Sequence, residues 1–463
     1  MTDDADHGLL SPQWAGTAVA AASSDAAIIH AMVEVEVTLA HAWERLGFAP
    51  SGTGDTVETV AARLEIDAAT LAARSRAGGN PVIPLVKDLR AAVAQADVSQ
   101  PDAAASEWVH RGATSQDILD TALMLVASRA LAIMSADLLV TLESLTRLAD
   151  EHRATLTVSR TLTQHGVPST FGLKAAGWLG GVSAAASRLT ATASALPVQW
   201  GGAGGTLASY SVIGEAGTGS AIGELVAGRL GLGASVPWQS QRSVVVELGS
   251  ALAQLGGALG KIAVDVLLLA RPEFGELGEP SEAGRGGSSA MPQKQNPVLS
   301  VLVHSAARQS GALAGELHSS ALAVDERPDG AWHAEWQTIR ELIRLVGGAT
   351  SLAAELTSGL RVHPEAMRAN LALSGALVVS ERLMLDYGRL LGRDRLQELV
   401  TGAMEPGVDL AAALRAEPAL ADIDDQTLAA SLDPAGYLGD NDLIIDRAIA
   451  DAATTIAALG GTS

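Results

Sequence analysis

"GRGGSSAMPQKQNP" (residues 284–297) combines two compositions that rarely adjoin. Its first half is glycine and serine, which leave the backbone free to move. Its second half sets Lys294 and Asn296 between Pro292 and Pro297, and each proline fixes a backbone angle. A solvated tether accounts for the glycines but not for a bracketed cation and amide. A lid that must close into one geometry accounts for both. Serine is a poor base at its ordinary pKa. Burial beside Lys294, under backbone N–H groups, would make an alkoxide accessible, and the same groups could hold a carboxylate.

The flanks of this loop set the fold class. Val244–Ala270 precedes it and Val298–Leu322 follows it, and both read as long apolar helices. Ser24–Leu46 is a third helical stretch, with Ser24 or Asp25 as N-cap and Gly47 as stop. Thr114–Asp150 reads as one long pattern with a possible interruption at Met134–Ser135, and Lys174–Ala195 is rich in alanine. Apolar residues make up 48% of the 463-residue chain and aromatics 3%, so the core rests on Ala, Leu and Val. Ala and Leu favour helix. No run of period-two alternation recurs. The expectation is an all-α protein with three helical parts around a long central bundle: 1–110, 111–355 and 356–463. Breaks fall at "GGNPVIP" (78–84), "GGAGG" (201–205), 273–297 and 405–407.

A formal charge of −21 argues against nucleic acid and anionic membranes as partners. Val244–Ala270 is long enough to span a bilayer, but Glu247, Lys261 and Asp265 make it a buried helix instead. The absence of cysteine excludes disulfides and thiolate chemistry and fits a cytoplasmic protein. The ten histidines show no metal-binding spacing, and His333 and Glu335 in "WHAEW" fall on different helix faces. No metal and no cofactor are expected.

Two further polar islands stand out. In "WVHRGATSQDILDTA" (108–122), Thr114, Ser115 and Asp117 sit at a helix start. Ordinary capping explains them, and a helix N-terminus is also an anion site. In "SRTLTQHGVPSTFG" (159–172), Gln164 and His165 precede an expected turn at Gly166–Pro168, with Lys174 opening the next helix. The three islands meet only if the long helices pack side by side or several subunits contribute.

"GSSAMPQKQNP" (287–297) resembles the signature of the fumarase/aspartase superfamily at every fixed position. "TSQD" (114–117) and "RTLTQHGVPSTFG" (160–172) resemble its other two regions in the same order. The resemblance covers essentially the whole chain. It implies a helical homotetramer whose active sites are shared between subunits. The shared chemistry is removal of a proton next to a carboxylate and loss of a group at the β carbon, or the reverse. That path passes through a dianionic aci-carboxylate and needs cations and N–H donors in place beforehand. The resemblance implies Ser288 as base, with Lys294, Asn296 and Ser289 on a substrate carboxylate. Thr114, Ser115 and Gln164 line the remainder, and His165 is an acid or an orienting group.

"GNPVIPLV" (79–86), "HRGATSQD" (110–117) and "DERPDGAWHAEWQTI" (325–339) resemble the 3-carboxy-cis,cis-muconate cycloisomerases within the superfamily. Many of its lyases carry a glutamate seven residues after the loop lysine. Here Val301 stands there, which removes the usual partner of His165. A cycloisomerase tolerates this, because its leaving group is a carboxylate that departs unprotonated. The implied substrate is a small polycarboxylate, so extra cations are expected. Arg111, Arg285, Arg327 and Arg340 are candidates, with Arg111 and Arg327 preferred because they adjoin shared stretches. The competing expectations are a lyase that releases a nitrogen group from a succinate, of the adenylosuccinate or nitrosuccinate kind, and a crystallin-like structural protein without activity.

Overall fold

The structure, a computed structural model, describes residues 7–97, 104–282, 284–287, 290–291, 293–405 and 407–461. Helices account for 67% of the protein. The long ones are Asp25–Arg45, Ser115–Glu151, Phe171–Ser194, Ser243–Leu269, Val298–Ser320 and Ala331–Ser358. Ser24 caps the first of these by accepting the Ala27 N–H at 3.2 Å. Ser115–Glu151 runs without a break through Met134 and Ser135, whose neighbours supply a continuous buried apolar face.

The chain forms two compact units. Unit 1 comprises Met1–Asp137, Ala185–Leu259 and Ser305–Ser351; unit 2 comprises Leu138–Ala184, Gly260–His304 and Leu352–Ser463. In unit 1 the scarce aromatics gather. Trp43 stacks on Tyr210 with centroids 5.5 Å apart and meets Phe48 and Trp108 edge-on or tilted. In unit 2 a separate core joins Val158 to Leu371, Val379, Leu383, Tyr387 and Leu414.

A β-hairpin in unit 2 departs from the sequence expectation. β1 (Leu156–Thr161) pairs antiparallel with β2 (Gln164–Thr170), so Gln164 and His165 open a strand rather than precede a turn. The turn is Leu162–Thr163, whose φ values of 48° and 73° suit a two-residue hairpin connection. Gly166 and Pro168, which read as turn residues, are tolerated because a two-stranded ribbon leaves one edge of each strand unpaired. The following helix starts at Phe171, ahead of Lys174.

Ser115–Glu151 and Ser243–Leu269 are long and apolar enough to cross a membrane. Each carries polar groups bound within the protein. Asp120 pairs with Arg242, and Asp265 accepts the Trp178 indole N–H at 2.8 Å. These are interior helices.

Beneath the start of Ser115–Glu151, unit 1 buries a charged network. Arg242 donates to Asp120 at 2.7 Å and to Glu335 at 2.6 Å, and all three side chains are at most 2% exposed. Trp332 Nε1 and Gln116 Nε2 complete the Asp120 carboxylate at 2.8 and 3.2 Å. Burial raises the Glu335 carboxyl while Arg242 opposes the shift. Arg242→Met removes the only cation of the triad and strands two carboxylates; the expected loss is about 3–5 kcal/mol, read as a lowered unfolding midpoint.

Candidate active site

Unit 1 assembles one set of the expected residues around the start of Ser115–Glu151. Thr114 is the N-cap: its carbonyl accepts the Asp117 N–H at 3.0 Å, and Asp117 Oδ2 in turn accepts the Thr114 N–H at 3.0 Å. The Thr114 hydroxyl is left for another partner. Arg327 Nη2 donates to it at 2.7 Å, which joins two residues that the sequence places 213 positions apart. Both are accessible enough to meet a ligand, Thr114 half-buried and Arg327 exposed. Ser115 begins the same helix and is half-buried. Arg111 lies with its guanidinium carbon 5.2 Å over Trp108, and its Nε is buried without a partner among the described residues. Arg327, the two hydroxyls and the helix N-terminus together suit an anion, and Arg111 stands three residues before Thr114 in the chain.

What fixes this cluster is Asp117. Its fully buried carboxylate accepts Gly201 N at 2.9 Å and Gly202 N at 3.0 Å besides Thr114 N. Burial pushes the carboxyl up to about 6, against the pull of Gly201, Thr114, Gly202 and Gln199. The glycine run at 201–205, read from sequence only as a break, is therefore a cradle for a side chain. No reading of the sequence singled out Gln199 or Gln239, which extend the network; the tripeptide "WQS" around Gln239 carries no local signal.

His110 precedes Arg111 in a left-handed backbone conformation, φ 58°. Its Nδ1 lies 2.6 Å from the buried Glu36. Burial works against its charged form, but Glu36 outweighs that and raises the pKa, helped by Asp117 and opposed by Arg90.

Unit 2 holds the other expected residues. Ser288 and Ser289 lie outside the described residues. To either side of them, Gly287 pairs with Gln295, and Asn296 N donates to Gly286 O at 2.9 Å. Gly286 has φ +69°, and a Cβ there would stand 2.5 Å from Asn296 O. Lys294 and Asn296 are exposed. Glu279 anchors the downstream helix by accepting Ser300 N at 2.7 Å and Leu299 N at 3.1 Å, so that N-terminus already holds a carboxylate. Gln164 is exposed and touches Thr163. His165 Nδ1 meets the Ser374 hydroxyl at 2.8 Å, and among the described residues no carboxylate bonds it. Val301 is 49% exposed.

Two of the four candidate arginines have structural partners. Arg285 pairs with Glu282 and Glu355, and Arg340 with Asp25 at 2.8 Å. Among the described residues one group has metal-binding spacing, His41, Asp55 and Glu58. It lies at the surface, and Glu58 is already bonded to His41 at 2.7 Å and Arg229 at 3.1 Å.

A long-helix scaffold with a polar helix start and a separate glycine–serine–lysine loop has the architecture of the fumarase/aspartase superfamily. The chain belongs to its lyase family, whose model matches residues 19–310. It is similar to nitrosuccinate lyase of Streptomyces davaonensis, with 48% identity over 96% of this chain and 94% of that one. It is also similar to 3-carboxy-cis,cis-muconate cycloisomerase of Pseudomonas aeruginosa, with 38% identity over 97% and 98%. The structure of the 3-carboxy-cis,cis-muconate lactonizing enzyme of Pseudomonas putida matches with a TM-score of 0.88 and 33% identity, covering 96% of this chain and 99% of that one.

Two outcomes follow from this geometry. Gly286→Ala should disrupt the close crossing of Gly286 and Asn296 and lower turnover at least about tenfold while leaving the thermal midpoint unchanged. His110→Asn keeps a residue that tolerates positive φ but loses the charge pair. A raised histidine pKa gives stability that is complete below the unfolded value near 6.5 and is lost as pH rises through the folded value. The gap in thermal midpoint between wild type and His110→Asn should therefore be widest in mild acid and shrink towards alkaline pH.

Proposed function

We propose that the protein is a lyase that eliminates the nitro group of a nitrosuccinate-like substrate, giving fumarate and nitrite. The similarity to nitrosuccinate lyase across nearly the whole of both chains carries this reading. Cycloisomerisation of 3-carboxymuconate, the reading that sequence motifs alone placed first, is the second, supported by relatives at 36–38% identity.

Both reactions share one half. In the elimination Ser288 takes a proton from the carbon next to one carboxylate, and the electron pair enters that carboxylate as an aci form. The pair then returns to form the carbon–carbon double bond as the C–N bond breaks. The nitro group leaves as nitrite with the bonding electrons. The nitrosuccinate dianion thus yields fumarate dianion, nitrite and a proton. Nitrite, like a carboxylate, is a stable anion and departs without protonation. Val301 in the place of a glutamate fits either leaving group, since neither needs a charged histidine–glutamate pair. With Ser374 as its partner, His165 would orient substrate rather than act as acid.

Lys294, Asn296 and Ser289 hold the carboxylate that becomes the aci form, where concentrated charge makes fixed donors most effective. Arg111, Thr114, Ser115 and Arg327 hold the second carboxylate, and Gln164 lines the site. Proton transfer and departure of an anion balance without a redox cofactor. The protein acts as a cytoplasmic homotetramer in which different subunits supply the two sets.

Purified protein given nitrosuccinate should release fumarate and nitrite in equal amounts, followed by fumarate absorbance and diazo coupling. Ser288→Ala should lower kcat by about 10²–10⁴-fold. Faster loss of the diene absorbance of 3-carboxymuconate would establish the cycloisomerase instead. Turnover of neither would favour the structural reading, and full activity of Ser288→Ala would remove the serine base.

A further inference from the structure

We infer that Gln239 is a positioning residue that holds Arg327 against Thr114 and thereby sets the strength with which the substrate carboxylate is held. This rests on the carboxylate-binding role given above to Thr114 and Arg327. The observation is a closed circuit of hydrogen bonds within unit 1. Asp117 Oδ2 accepts Thr114 N at 3.0 Å, and Gln199 Nε2 reaches Asp117 Oδ1 at 3.4 Å and Gln239 Oε1 at 3.2 Å. Gln239 Nε2 donates to the Glu326 carbonyl at 3.2 Å. The next residue, Arg327, closes the ring on the Thr114 hydroxyl at 2.7 Å.

Gln239 is the link between the rigid part of this circuit and the segment that carries Arg327. Its side chain is 5% exposed, and its carbonyl accepts Gln116 Nε2 at 2.8 Å. The glycine run packs on its amide: a Cβ at Gly201 would lie 2.2 Å from Gln239 Oε1, and one at Gly205 would lie 3.3 Å from Nε2. The amide therefore has one place to be. The segment it holds needs holding. Asp325 sits at φ 58°, a strained value for a residue with a side chain, and Asp325, Glu326 and Arg327 are all exposed. Among the described residues, Gln239 to Glu326 and Arg327 to Thr114 are the bonds that tie residues 325–327 to the start of the Ser115–Glu151 helix, while Asp329 O accepts Ala331 N at 2.7 Å at the opening of the next helix. If the first is removed, a long, solvated arginine must order its own loop whenever a ligand binds, and that ordering weakens affinity.

The test uses four full-length variants. Gln239→Met removes both amide bonds. Gln239→Glu keeps an acceptor for Gln199 and loses the donor to Glu326. Arg327→Ala and the double variant Gln239→Met/Arg327→Ala complete a cycle. Fumarate binding by calorimetry is measured together with KM, kcat and the thermal midpoint. Each Gln239 variant should raise the Kd for fumarate and the KM about five- to tenfold, the effect of one buried hydrogen bond, with kcat within about twofold. In the Arg327→Ala background Gln239→Met should add less than about twofold. A full additional loss in that background, or a lowered thermal midpoint with unchanged Kd, would show a merely structural glutamine and overturn the inference. Wild-type affinity in the Gln239 variants beside a weakened Arg327→Ala would overturn it alone. Unchanged fumarate affinity in Arg327→Ala would overturn the carboxylate assignment, and this inference with it.

Discussion

A single buried carboxylate organises the polar cluster at the start of the longest helix. Asp117 takes N–H bonds from Thr114, Gly201 and Gly202, and so ties the start of the longest helix to a glycine run far along the chain. The bond to Thr114 is local capping. The other two hold only if the aspartate is withdrawn from water, and burial does raise its pKa. That arrangement frees the Thr114 hydroxyl, and Arg327 takes it. The polar face offered to a ligand is in this sense the outer layer of a buried network. The layers behind it, Gln199, Gln239 and the Arg242 triad, are buried.

The same logic governs the loop in unit 2 by different means. Glu279 occupies the helix N-terminus downstream of the loop, so that terminus is satisfied by the protein itself. Gly286 permits a close backbone crossing at Asn296 that a larger residue would obstruct. The base of the loop is thereby defined, while Lys294 and Asn296 remain at the surface. Both units solve one problem for an acidic protein. With a net charge of −21, local cations must be placed where neighbouring carboxylates do not neutralise them. Arg285 and Arg340 are paired with acids, whereas Arg327 is bound to a hydroxyl.

Five of the six long helices were legible because apolar periodicity over twenty or more residues is a strong local signal; Ala331–Ser358 was not singled out, and the helix expected to open at Lys174 starts at Phe171. The β-hairpin was not legible. Its strands are short, only Leu156 and Val158 mark an apolar face, and Gly166 and Pro168 imitate a turn that actually falls at Leu162–Thr163. Thr114 and Arg327 were legible as separate candidates through the family resemblance, and their contact required the fold. Asp117 could be read only as a cap, because capping is local while its glycine partners lie 84 and 85 residues away. Gln239 left no trace, since a buried amide has no characteristic spacing.

The central claim is that Thr114 and Arg327, held by the Asp117 network, receive a substrate carboxylate. A crystal structure of the assembled protein with fumarate bound tests it most directly. The account predicts one carboxylate of fumarate between the Arg327 guanidinium and the start of the Ser115–Glu151 helix, and the other under the Lys294 loop of a neighbouring subunit. Fumarate bound elsewhere, with Arg327 turned to solvent and Thr114 bonded to water, would contradict it.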